Sequence, residues 1–302
     1  MLKFDGVFSV VPTPFFPDGR IDFESLNRVI DLFVGARVNG LTALGVTSET
    51  VRLSDVERDH VLERVIQQVG GKIPVVAGTT AAGTLACIEY SRSAARFGAD
   101  AIMVSPPRMP KLNSEAVVRH YKTLADAVDL PIVIQDYPVV SGYAMEPSLL
   151  VRITREVPQA KAIKLEDPPT PYKIARIIEQ SEGIPLSILG GLGGMYLLEE
   201  LMAGAGGAMT GFAYPEMLLE VVRHFRATDF QKAADAFYRY VPLMRFEFQE
   251  GVGMAIRKEI LRRRGAFTHA ALRAPATPLD EQTSRALDRL LGWLKQQGCD
   301  FI

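Results

Sequence analysis

The sequence predicts an α/β fold: a (β/α)8 TIM barrel with a C-terminal helical extension. Three observations lead there. Short apolar runs bounded by Gly and Pro recur eight times, each followed by a stretch of helical periodicity. The runs are continuously apolar, as in a parallel sheet covered on both faces. The strand signals stop near Arg226, and only helical patterns follow.

In chain order the predicted strands are residues 7–11, 40–46, 73–78, 101–105, 131–135, 160–165, 185–189 and 207–211. The first, seventh and eighth are weak alone and gain from their place in the series. The helical stretches between them include 23–38, 54–69, 85–97, 114–128, 147–157 and 171–180. In the first, Leu26, Val29, Ile30 and Phe33 form the stripe that buries one helix face. Ser54 and Glu57 have capping-box spacing at the start of the second. Alternating strands and helices imply parallel pairing with right-handed crossovers. Eight units match a closed barrel better than an open doubly wound sheet, whose usual Gly-x-Gly-x-x-Gly after the first strand is missing. Residues 1–225 are therefore read as the catalytic barrel. Residues 226–302 are read as helices (230–248, 252–264 and 280–297) packed on it, joined through an irregular connector around Pro275 and Pro278.

Composition narrows the function classes. The 302 residues carry 34 Lys+Arg against 35 Asp+Glu, a formal charge of -1, with 48% hydrophobic residues. Neither sign dominates, so neither nucleic acid nor an acidic membrane is expected as a partner. The two cysteines, Cys87 and Cys299, lie far apart, and no Cys/His cluster has zinc spacing, so reduced thiols and no metal are expected. Asp5 and Pro12 interrupt the N-terminal stretch too early for a secretory signal, and no apolar run approaches the ~18 residues of a membrane span. A cytoplasmic location is expected.

In such a barrel the chemistry sits where strands end and their following loops begin. Lys164 lies near the end of the sixth apolar run. An ammonium buried there must be paired or neutralised, and a neutral amine attacks a ketone to form a Schiff base. The plain alternative is a lysine that snorkels to the strand end or pairs with Glu166. After the second strand, Thr47, Ser48 and the local amides can hold a carboxylate, with Glu49 organising the loop by accepting backbone hydrogen bonds; an ordinary helix start is the alternative. Gln135 and Tyr137 share strand parity at the end of the fifth strand. Gly190 and Gly191 open a glycine-rich loop after the seventh, which can wrap a phosphate or sugar hydroxyl with amides or merely make tight turns. The four histidines are scattered and are read as surface or core fillers.

Together these motifs resemble the dihydrodipicolinate synthase / N-acetylneuraminate lyase family of Schiff-base-forming aldolases and dehydratases. The resemblance runs from Val10-Val11-Pro12-Thr13-Pro14-Phe15 to Leu272-Arg273-Ala274-Pro275-Ala276-Thr277-Pro278. On the way it includes the 45–49 loop, which is similar to Gly-x-x-Gly-Glu with Ser48 at the second Gly, and Ser105-Pro106-Pro107. It implies a tetrameric barrel enzyme with Lys164 as nucleophile and no cofactor. Four positions depart from the synthase pattern. Gln135 and Arg108 stand where synthases carry tyrosines, Val46 where they carry a threonine, and Val140 where they carry a substrate-binding arginine. Gln135-Asp136-x-Pro138, Lys164-x-Glu166-x-Pro168 and residues 203–211 are similar to the 2-keto-3-deoxy-L-arabonate dehydratases, although Arg108 replaces a tyrosine of that branch too.

The expected activity is a Schiff-base lyase on a 2-keto acid, dehydrating a 2-keto-3-deoxy sugar acid. Lys164, Gln135 and Glu166 would be catalytic, and Thr47, Ser48, Arg108, Tyr137, Gly190 and Gly191 would bind substrate. Alternatives are a pyruvate-dependent aldolase, dihydrodipicolinate synthase itself, or a binding paralogue without turnover.

Overall fold

The computed structural model describes residues 2–302. Eight parallel strands close in sequence order into a barrel: β1 (Gly6–Val10), β2 (Gly40–Ala43), β3 (Val75–Gly78), β4 (Ala101–Val104), β5 (Ile132–Asp136), β6 (Ala160–Leu165), β7 (Ser187–Gly190) and β8 (Gly207–Thr210). Pairing of β8 with β1, Gly6 opposite Gly207, completes the ring. Parallel neighbours need a crossover. These are supplied by α1 (Phe23–Gly35), α2 (Asp55–Val69), α3 (Thr84–Phe97), α4 (Ser114–Ala127), α5 (Pro138–Ser141) with α6 (Pro147–Glu156), α7 (Thr170–Gln180) and α8 (Leu197–Met202).

The helix starts follow their side chains. Asp22 accepts the Ser25 amide at 3.0 Å before α1, and Ser54 and Glu57 form a reciprocal capping box before α2. Gly70 and Gly98 end α2 and α3 with positive φ, which glycine adopts without strain. β2 stops at Ala43, short of the expected Val46, because residues 46–48 coil into a 3-10 turn. The six-residue α8 and four-residue α5 are too short to show periodicity.

Strand parity divides the side chains into two sets. Phe8, Val76, Met103, Val133, Ala162, Leu189 and Met209 fill the lumen, with Phe4 against Phe8 at its N-terminal end. The alternate residues, such as Leu41, Ile134, Ile163 and Ile188, pack outward against the helices.

After α9 (Pro215–Arg226) come α10 (Phe230–Glu247), α11 (Gly253–Arg263) and α12 (Glu281–Gln296). α10 lies against α9, and Leu287 and Leu294 of α12 join the outer core. The segment between α11 and α12 folds back over the barrel. Ala271 bridges to Phe15, and Arg273 donates to Glu57 on α2 and to the Arg52 carbonyl. Among the described residues, no helix is long and apolar enough to cross a membrane.

Candidate active site

Parity delivers the first four site residues. Met103, Val133, Ala162 and Leu189 point into the lumen. Two residues further along each strand stand Ser105, Gln135, Lys164 and Gly191, at the C-terminal mouth. Gln135 is the register partner of Lys164. Lys164 is only 4% exposed, and its Nζ lies 3.2 Å from Glu166 Oε2. Gln135 Nε2 donates to that same oxygen at 2.8 Å, and Ser105 Oγ donates to Gln135 Oε1 at 3.1 Å. Lysine, glutamate, glutamine and serine thus form one buried chain. The pairing with Glu166 raised as the plain alternative for Lys164 is present.

The double glycine at the end of β7 makes room for two carboxylates. Gly191 faces inward, where a Cβ would collide with Glu166. Gly190 faces outward, where a Cβ would collide with the carboxylate of Glu200 on α8. Both glycines therefore serve close approach of side chains, and no phosphate cradle is needed to explain them.

The loop after β2 is held from several sides. Ser48 Oγ donates to the Val11 carbonyl at 2.5 Å and accepts the Gly45 amide at 3.1 Å, and its own amide goes to the Gly45 carbonyl. Ser48 is thus committed to bracing the loop, in place of the substrate contact expected of it. Thr47 differs: its Oγ1 is buried with no partner among the described residues. Glu49, at a left-handed φ of 58°, takes side-chain cations where backbone amides were expected. Arg52 donates to it at 2.8 Å, and Lys258 of α11 forms an ion pair with it.

Arg108 is exposed, its side chain over Gly142. β5 ends before Tyr137, which is half-buried and whose phenol is pushed up by burial and by the nearby charges of Glu166 and Glu250. Tyr137 and Thr47 line a cavity of about 400 Å³ between the barrel mouth and the tail, together with Glu247, Phe248 and Arg257. A second cavity of about 170 Å³ is lined by Gly45, Arg58, Thr80, Met103 and Gln135. Val46 lines both, and Lys164 itself lines neither. Among the described residues, no group of three or more His, Cys, Asp or Glu side chains can hold a metal ion. His120 is buried on α4, hydrogen-bonded to Thr84 Oγ1 at 2.9 Å, and burial lowers its ring to about 4.

Three groups escaped the sequence reading. Ser105 was visible only as part of a motif; strand parity would have aimed it at Gln135. Asp136 points outward to Lys173 at 2.5 Å, tying β5 to α7, and burial raises its carboxyl to about 6. Glu200 has no such cation. It accepts from Thr170 Oγ1 at 2.6 Å, Oε2 has no partner among the described residues, and burial raises it from 4.5 to about 8, opposed by the Thr170 bond and aided by the charges of Glu199 and Glu166. Because its folded value is raised, the native state holds this proton while the unfolded chain loses it between pH 4.5 and 8. The stability Glu200 contributes is therefore full below about pH 4.5 and lost as pH rises through about 8. Glu200→Gln, which cannot ionise, is expected to raise stability at pH 9 by at least about 1 kcal/mol and change it little at pH 5. Urea midpoints at the two pH values check this; a gain equal at both pH values would count against a buried titration.

The chain has relatives over nearly its whole length. It is 30% identical over 288 residues to an L-2-keto-3-deoxyarabonate dehydratase of Azospirillum brasilense, covering 93% of this chain and 92% of that one. It is 34% identical over 298 residues to a 4-hydroxy-tetrahydrodipicolinate synthase of Haloarcula marismortui, covering 98% and 95%. A prophage protein of the dihydrodipicolinic acid synthase family from E. coli K12, solved in complex with pyruvate, superposes with a TM-score of 0.90 at 26% identity over 97% of this chain and 99% of that one. Residues 3–293 match the Dihydrodipicolinate synthetase family, and the chain belongs to that family of lyases.

Proposed function

We propose that the chain is a Schiff-base lyase that dehydrates a 2-keto-3-deoxy sugar acid. The observation that carries this is the buried Glu166 carboxylate, 3.2 Å from Lys164 Nζ and fixed by Gln135. Lys164 adds to the keto carbon, and loss of that oxygen as water leaves an iminium. Glu166 takes a C3 proton to give an enamine. The enamine expels the C4 hydroxyl, which leaves as water with the proton returned by Glu166. A final water hydrolyses the imine and frees Lys164. Thr47 Oγ1, buried and unpartnered, is the hydroxyl available to the substrate carboxylate. Tyr137 stands at the cavity wall to meet the substrate chain.

A second reading, aldol chemistry or dihydrodipicolinate synthesis, is favoured by the Haloarcula relative's name. Against it stands Gln135. Its amide neither takes nor gives a proton near neutral pH, whereas the synthases it resembles carry a tyrosine there. The enzyme would work in the cytoplasm as a homotetramer without metal or organic cofactor, since the lysine itself supplies the electron sink.

Intact mass after cyanoborohydride reduction with pyruvate tests the imine: one reduced pyruvyl group per chain is expected, and no adduct overturns the reading. Product analysis on 2-keto-3-deoxypentonates separates the reactions. An intact chain lacking water marks a dehydratase, and pyruvate plus an aldehyde marks an aldolase. Glu166→Gln is expected to keep the pyruvate adduct while turnover falls roughly 10²–10⁴-fold. Unchanged turnover would remove Glu166 from the proton path.

A further inference from the structure

Gln135 reaches Glu166 from a position that packing alone does not fix. It is buried, yet it lines the cavity of about 170 Å³ together with Thr80 and Met103, so one flank of its side chain meets open space. What holds it is a hydrogen bond at each end of its amide. Nε2 donates to Glu166 Oε2 at 2.8 Å, and Oε1 accepts from Ser105 Oγ at 3.1 Å. The two ends of an amide have nearly the same shape and differ in the sense of their hydrogen bonds. Facing an ionised carboxylate, the NH2 end must point at Glu166, which turns the carbonyl end away and leaves it in need of a donor. Among the described residues, that donor is Ser105 alone, itself 1% exposed. Ser105 is braced in turn, because its amide donates to Thr80 Oγ1 at 2.9 Å. One chain of hydrogen bonds thus crosses the mouth, from Thr80 past β3 through Ser105 past β4 and Gln135 on β5 to Glu166 past β6.

We propose that Ser105 is a positioning residue of this lyase: acting through Gln135, it holds the Glu166 carboxylate in place to take the C3 proton. This rests on the Schiff-base reading of Lys164 and Glu166. The Glu166 carboxylate has two side-chain partners among the described residues, Lys164 and Gln135. An ammonium carries three donor hydrogens, whereas the nitrogen of an iminium keeps one. Once the imine has formed, Gln135 therefore supplies a larger share of the carboxylate's support, and that is the stage at which the C3 proton leaves. Without the Ser105 hydroxyl, Gln135 Oε1 is a buried acceptor with no partner, and the amide gains by swinging into the cavity that it lines. Glu166 then loses its second donor and its fixed angle when it is needed as a base. The equilibrium between free keto acid and imine does not include removal of the C3 proton, so the fault falls on one half of the reaction.

The test is deuterium exchange at the pyruvate methyl group, followed by proton NMR on the full chain in heavy water. Lys164 forms the imine with release of water, and Glu166 takes a C3 proton, trades it with solvent and returns a deuteron. Hydrolysis then frees deuterated pyruvate. Ser105→Ala is expected to slow exchange at saturating pyruvate about tenfold. The pyruvate concentration that half-saturates cyanoborohydride trapping should stay within about twofold. Ser105→Thr, which keeps the hydroxyl, should bring exchange back to within about threefold of the unaltered protein. Gln135→Met should lose at least as much as Ser105→Ala, and adding Ser105→Ala to it should cost little more, because the serine then has no amide to hold. Unchanged exchange in Ser105→Ala overturns the proposal, as do losses that multiply in the double variant or a folded Ser105→Thr that exchanges no faster than Ser105→Ala. If Ser105→Thr does not fold, the double variant decides. No pyruvate adduct in the unaltered protein marks failure of the Lys164 reading, and full exchange in Glu166→Gln marks failure of the Glu166 reading; the proposal falls with either.

Discussion

Lys164→Ala is expected to abolish the trapped pyruvate adduct and to lower turnover of the keto acid by roughly 10⁴ or more, since removing the nucleophile of a covalent mechanism leaves only binding and electrostatics. The fold should survive. Lys164 projects from β6 into the mouth, and Glu166 keeps the Gln135 bond at 2.8 Å when the amine is gone. The truncation leaves the buried Glu166 with only the Gln135 amide as donor, so a loss of stability of about 3 kcal/mol is expected as well, and turnover is compared on folded protein. Intact mass, turnover and urea unfolding on one preparation check all three. An adduct that persists in Lys164→Ala would assign the imine to another amine, and Lys258, with its ammonium lowered by burial to about 8, would be the first to examine.

Lys258→Met is expected to cost about 3 kcal/mol of stability, because breaking a buried pair strands its partner. Lys258 is fully buried on α11. It pairs with Glu49, donates to the Ala271 carbonyl at 2.9 Å and sits 4.3 Å over the Phe15 ring. Arg52 still reaches Glu49 at 2.8 Å after the change, which keeps the loss at the lower end for a stranded buried charge. Glu49 orders the loop that carries Thr47, so the half-saturating concentration of pyruvate in the trapping assay should rise as well. The Lys258→Met/Glu49→Gln double variant should recover part of the stability, giving a coupling of at least about 1 kcal/mol in a double-mutant cycle. Additive losses would mean that the two side chains act separately.

The barrel was legible because its signal is collective. No single run such as residues 185–189 looks decisive, yet eight runs in series permit few topologies. The placement of Lys164 near the end of β6 was legible from its apolar run, and the pairing with Glu166 raised as its plain alternative is present; its role as nucleophile came from the family resemblance. Its network was less legible, because Gln135, Ser105 and Glu166 meet only through parity and register, which the sequence holds in separate strands. Ser48 and Arg108 are placed differently from what their chemistry alone suggests. Ser48 has the right chemistry but spends it on Val11, and Arg108 has free donors but lies exposed over Gly142. Arg257, which lines the cavity with Thr47, did not stand out in the sequence because it sits in an ordinary helical pattern.

The two glycines at the end of β7 also carry a consequence for how this sequence can change. At Gly190 the available space is already occupied by Glu200, and at Gly191 by Glu166. A side chain at either position is admitted only if the facing acid shifts or shortens in the same step. Positions 190 and 200, and positions 191 and 166, therefore behave as linked pairs in any library. Single-site randomisation would score the glycines as immutable, and joint randomisation with the acids would open routes that neither position offers alone. One of those pairs contains the proposed proton carrier, whereas positions 190 and 200 face away from the mouth and can change together without touching it.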